Sequence, residues 1–98
     1  MMNKSEAQKL VENDLEKNND PCNPVDCAIL QNETIEKDWG WVFFYQSKAF
    51  IKTGDFRDML AGNAPYIVNR YSGEIQVTGT AYPIEHYIQK YEETLQNT

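Results

Sequence analysis

The sequence predicts an α+β fold: an antiparallel β-sheet of about four strands flanked by an N-terminal and a C-terminal helix, in the order α-β-β-(short α)-β-β-α. Three observations carry this. Ile84, Tyr87, Ile88, Tyr91 and Leu95 recur at i, i+3, i+4, i+7 and i+11, which is one apolar stripe of a helix. Residues 40–47, Gly-Trp-Val-Phe-Phe-Tyr-Gln-Ser, are rich in aromatic and β-branched side chains and read as a strand. Two further β-prone runs, 66–70 and 74–79, flank Tyr71-Ser72-Gly73, a hairpin loop in which Gly73 supplies a positive φ. Short hairpin connections imply antiparallel strands, whose apolar faces helices must cover.

Taken in order, residues 5–18 read as the first helix. Ser5 with Gln8 forms a capping-box pattern. Ala7, Leu10, Val11 and Leu15 make a thin apolar stripe, which suits a helix at the edge of the domain. Pro21 disfavours helical geometry at Asp20 and ends it. Residues 22–26 form a turn-rich connection. Asp26 to Glu36 suits an extended segment, but Val25, Cys27 and Ile29 compete with Ala28 and Leu30 to define its face. In the strand at 40–47, alternation places Trp39, Trp41, Phe43 and Tyr45 on one side and Val42 and Phe44 on the other. Apolar residues on both sides suggest a central strand covered twice. Trp39, beside Lys37 and Asp38 at the strand mouth, is the candidate for exposure. Residues 47–64 form a long connection, with Asp55 capping a helical turn that runs through Leu60. Pro83 suits the first position of the terminal helix, read over 83–95.

The 98 residues make one domain, 1–98. No apolar run is long enough to span a membrane, and the first fifteen residues lack a signal peptide's apolar stretch, so a cytoplasmic location is expected. Net charge is −6 and is segregated. Residues 1–38 hold four lysines and nine acids, whereas residues 39–98 hold five basic and six acidic residues. This argues against nucleic acid and against an anionic membrane surface, both of which need a basic face. It would hasten association with a basic partner, or simply keep a small protein soluble.

No catalytic or metal template fits, so neither an enzyme nor a cofactor is expected. His86, the one histidine, falls on the helix side away from the apolar stripe and reads as an exposed structural residue. Cys22 and Cys27 are one loosely spaced pair, where a zinc site usually has two close pairs; they read as two free thiols, with a disulfide across the Pro24 turn as the alternative. The five glycines are scattered and form no phosphate loop. Asp55/Asp58 and Glu92/Glu93 read as helix-cap and solvated-face carboxylates.

Residues 62–79, GNAPYIVNRYSGEIQVTG, followed by TAYPIEHYIQKY at 80–91 and preceded by GWVFFY at 40–45, resemble the immunity protein 35 family of bacterial polymorphic-toxin systems. The resemblance spans residues 39–91, and Gly-Asn-Ala-Pro with the following hairpin is its most specific part. It implies a non-catalytic protein that binds and neutralises a cognate toxin. A basic toxin domain such as a nuclease would suit the charge without being required by it. On this reading Glu33, Glu36, Asp38 and Trp39 are the expected contact residues, because they combine charge with an aromatic anchor at a strand entry. The alternative is a housekeeping or chaperone-like binding domain of the same fold, using an open Trp41/Phe43/Tyr45 face.

Overall fold

The computed structural model describes residues 2–17, 27–55 and 64–96. Within them the order is α1 (Lys4–Lys17), β1 (Cys27–Ile29), a 3-10 turn (Gln31–Glu33), β2 (Ile35–Lys37), β3 (Gly40–Phe43), β4 (Tyr45–Ser47), α2 (Lys48–Thr53), β5 (Tyr66–Asn69), β6 (Ile75–Val77) and α3 (Ile84–Gln96). The class is α+β, as the sequence predicts. The strands β2-β3-β5-β6 form a four-stranded antiparallel sheet, and β1-β4 form a second ladder of two.

The run at 40–47 is divided between these two ladders. Its first half pairs with β2 and β5, and its second half pairs with β1. The register explains the ambiguity of residues 26–36. Ile35 faces Val42 but Ile29 faces Tyr45, so one side spends six residues where the other spends three. The 3-10 turn at Gln31–Glu33 takes up the excess. No single alternation could describe a segment interrupted in this way.

The four-stranded sheet is covered on both faces. On one face Trp41, Phe43, Tyr66 and Val68 pack with Ile29 and with Ala7 and Val11 of α1. On the other, Val42 and Ile67 pack with Ile88 and Tyr91 of α3. Ala7 and Val11 are fully buried, so α1 is not an edge helix as its thin stripe suggested. Tyr66 Oη donates to Asp14 Oδ2 at 2.7 Å and ties α1 to β5. The capping box also lies elsewhere: Asn3 Oδ1 accepts from Glu6 N at 2.8 Å, and Asn3 N donates to Glu6 Oε1 at 3.2 Å. The helix therefore opens before Ser5. The stripe read for α3 holds, with Ile84 and Leu95 flanking the buried Ile88 and Tyr91.

Helix α2 lies where the sequence reading had only a connection. Ser47 Oγ accepts from Phe50 N at 3.1 Å, and Gly54 N donates to Phe50 O at 2.7 Å in the left-handed region. Six residues cannot sustain a helix through propensity. The cap at Ser47, worth about 1 kcal/mol, helps to decide it. The turn expected from Asp55 to Leu60 falls mostly outside the described residues, as do Cys22, Gly62 and Asn63.

Two turns lie at one end of the four-stranded sheet. Between β5 and β6, Gly73 has φ +74°, as expected of the hairpin. Between β2 and β3, Asp38 and Trp39 form a two-residue turn followed by Gly40 at φ +155°. A Cβ on Gly40 would stand 1.9 Å from the carbonyl oxygen of Val68. The conformation breaks the alternation: Trp41 packs on the α1 side, whereas Trp39 joins the α3 cluster with Phe44.

Gly40→Ala should therefore cost about 3 kcal/mol or more, because the overlap is with backbone and not with a movable side chain. Urea denaturation would measure it. A second prediction concerns Tyr45. Burial, and then the charge of Cys27, raise its phenol above the ordinary value of 10.0. The folded state thus holds this proton more tightly than the unfolded state does. Stability should fall as pH rises past about 10, and Tyr45→Phe should flatten that slope in thermal melts.

Candidate protein-docking site

The β2–β3 turn and the β5–β6 hairpin lie side by side at one end of the sheet. Arg70 N donates to Trp39 O at 2.8 Å across them. Between them opens a surface groove of about 690 Å³ lined by Glu36, Lys37, Asp38, Arg70 and Tyr71. Tyr71 is 70% exposed, the most exposed of the large apolar side chains among the described residues. Its backbone is nonetheless held, because Asn69 Oδ1 accepts from Tyr71 N at 2.9 Å and Ser72 N at 3.1 Å.

Arg70 forms the groove's floor. Its Nη2 donates to Lys37 O at 2.8 Å, and its guanidinium carbon lies 4.7 Å from the centre of the Trp41 ring. A stacked, partly buried guanidinium of this kind gains about 1–2 kcal/mol. The Arg70–Glu36 contact is longer, at 3.5 Å, and the Glu36 side chain is 67% exposed. Such a contact contributes little, about 0–1 kcal/mol, so Glu36 can turn to a partner at small cost. Arg70 Nε and Trp41 Nε1 are buried with no hydrogen-bond partner among the described residues. The ring-to-guanidinium stack offsets part of that cost.

Of the four residues expected at a contact surface, Glu36 and Asp38 meet in this groove. Glu33 is exposed on the 3-10 turn and is not among the groove's lining residues. Trp39 is not an exposed anchor. Its ring lies 4.8 Å from that of Tyr91, and its Nε1 donates to Glu92 Oε2 at 3.0 Å. The physical reason is the turn of the backbone at Gly40, which directs the indole onto α3. Sequence reasoning missed Arg70 and Tyr71. The signal available was Tyr71 at the tip of a recognised hairpin, where side chains are solvated.

The remaining surface offers less. His86 is half-buried, its ring 4.4 Å from Tyr82 and 5.5 Å from Tyr87. Among the described residues no three of His, Cys, Asp and Glu cluster as metal ligands, and no helix is long and apolar enough to cross a membrane.

Comparison with known proteins supplies the class to which this fold and groove belong. The family model of Immunity protein 35 matches residues 5–92, and the chain belongs to that family. The match extends beyond the 39–91 core of the sequence resemblance and takes in α1. Among curated proteins the chain is similar to the uncharacterized protein YrhB of Escherichia coli (strain K12), 51% identical over 53 residues. That match covers 54% of this chain and 56% of the relative, so the chain spans little more than half of YrhB's length. No solved structure matches the chain.

The groove and its support should separate in stability measurements. Tyr71→Ala should change stability by less than about 0.5 kcal/mol, as exposed substitutions do. Asn69→Ala should cost about 2–4 kcal/mol, because it removes a buried amide and leaves its partners unmatched. Paired urea titrations of the two variants check this.

Proposed function

We propose that this chain is an immunity protein that neutralises a cognate bacterial toxin by direct, non-catalytic binding in the cytoplasm. Family membership over residues 5–92 is the observation that carries the reading. The groove supports it. Two exposed carboxylates, Glu36 and Asp38, stand beside Tyr71, an exposed aromatic on a held backbone. Aromatics are enriched as interface anchors, and charged groups at the rim steer and orient the partner. The net charge of −6 supplies a long-range attraction for a basic toxin surface.

The chaperone-like alternative required an open aromatic face. Of the Trp41/Phe43/Tyr45 face, Trp41 is 2% exposed and Phe43 is fully buried, both beneath α1, and Tyr45 is half-buried against the same cluster. That surface is core, and nothing else favours the alternative.

The test searches the genes neighbouring this one for a toxin domain and uses that domain as the binding probe. Co-expression should protect cells from that domain, and the two purified proteins should form a stable complex. Reversing both charges with Glu36→Lys and Asp38→Lys should slow association by about tenfold at low salt and flatten its salt dependence. Stopped-flow association at several ionic strengths reads both effects. An unchanged rate would remove the groove from the reading, and absence of any complex would remove the function.

A further inference from the structure

Both walls of the groove are held from below by the same helix. On the hairpin side, Asn69 Nδ2 donates to Tyr91 Oη at 3.0 Å, while Asn69 Oδ1 receives the amides of Tyr71 and Ser72. Only this orientation of the amide serves all three partners: two donors face its oxygen and a phenol oxygen faces its nitrogen. On the turn side, Trp39 rests on the ring of Tyr91 and donates to Glu92 Oε2. The two walls also meet directly, through Arg70 N and Trp39 O. Tyr91 is 6% exposed and Asn69 is 7% exposed, so the support is shielded from water and does not itself offer a contact surface.

We infer that Tyr91 and Glu92, acting through Asn69 and Trp39, are positioning residues that set the shape of the docking groove before a partner arrives. The inference rests on the proposed reading of that groove as a docking surface. Its physical basis is the entropy of association. A loop already held in its bound geometry loses less freedom on binding than one that must be ordered at that moment. An exposed tyrosine on a free hairpin would be a poor anchor. This one has its own amide held by a side chain that a buried phenol holds in turn. The indole of Trp39 then serves the interface from beneath it, through the shape of the β2–β3 turn.

The test compares three variants of the whole chain. Tyr91→Phe removes the oxygen that holds Asn69 and keeps the ring beneath Trp39. Trp39→Phe removes the donor to Glu92. Glu92→Gln keeps an acceptor for Trp39 and serves as the conservative rescue. Amide hydrogen exchange is read at Tyr71 and Ser72, with Val68 in β5 as the core reference. Association with the toxin domain is read alongside.

The expected result is at least a tenfold faster exchange at Tyr71 and Ser72 in Tyr91→Phe, with Val68 unchanged. In that variant and in Trp39→Phe, association should slow at least fivefold, while Glu92→Gln remains close to the unsubstituted chain. If exchange rises equally at Val68, the residues are general core and the inference fails. If the hairpin loosens and association is unchanged, the docking role fails and only the structural support stands. If the unsubstituted chain does not bind the toxin domain, the functional reading falls, and the exchange data alone decide whether α3 sets the groove.

Discussion

The approach of Gly40 to the backbone of Val68 is the constraint on which the rest of the structure hangs. An ideal Cβ there would lie 1.9 Å from a carbonyl oxygen, so no other residue fits without moving a central strand. The same residue turns the chain at φ +155° and resets which side chain faces which way. Trp41 then lies against the α1 cluster and Trp39 against the α3 cluster. Without that reset the two indoles would crowd one face, and α3 would lose the ring that packs on Tyr91. Both layers of the core therefore depend on one missing methyl group.

The polar groups near this end of the sheet divide into strong and weak restraints. Asn69 is buried, and its amide makes three short bonds, so breaking one exposes an unmatched group at a cost of about 1–3 kcal/mol. The Glu36–Arg70 pair is long and solvated, and its loss is nearly free. Held backbone beside loosely held carboxylates is a suitable combination for recognition. The frame keeps its shape, while the charges remain available to a partner. Locally the groove is nearly balanced in charge, since Lys37 and Arg70 offset Glu36 and Asp38. Arg70 is occupied by Lys37 O and the Trp41 ring, so an approaching surface meets the exposed Glu36 and Asp38 carboxylates together with the half-buried Lys37. The overall charge of −6 acts over a longer range and bears on the rate of encounter more than on its final geometry.

Much of the fold was legible in the sequence, because the signals concerned repeat. The stripe from Ile84 to Leu95 covers three turns of helix, and the β5–β6 hairpin carries its own glycine. Short elements carry too little repetition to be read in this way. Helix α2 has six residues and no apolar stripe, so only its caps, Ser47 and Gly54, could have marked it. The capping box was read from Ser5 and Gln8, although Asn3 and Glu6 have the same spacing and polar character. Choosing between them required knowing which turn of α1 meets the sheet.

By itself the sequence determined the α+β class, the terminal helix, the central aromatic strand, the closing hairpin and the family resemblance. Each of these is set by local geometry or by periodic burial. Only the tertiary structure decided the fate of Trp39, the split of residues 40–47 between two ladders, and the partnership of Tyr71 with Glu36 and Asp38. These depend on contacts between residues sixteen to fifty-three positions apart in the sequence. They turn on a close backbone approach at Gly40 that no pattern of polar and apolar residues encodes. Alternation predicts the face of a side chain only while the backbone stays regular, and at Gly40 it does not.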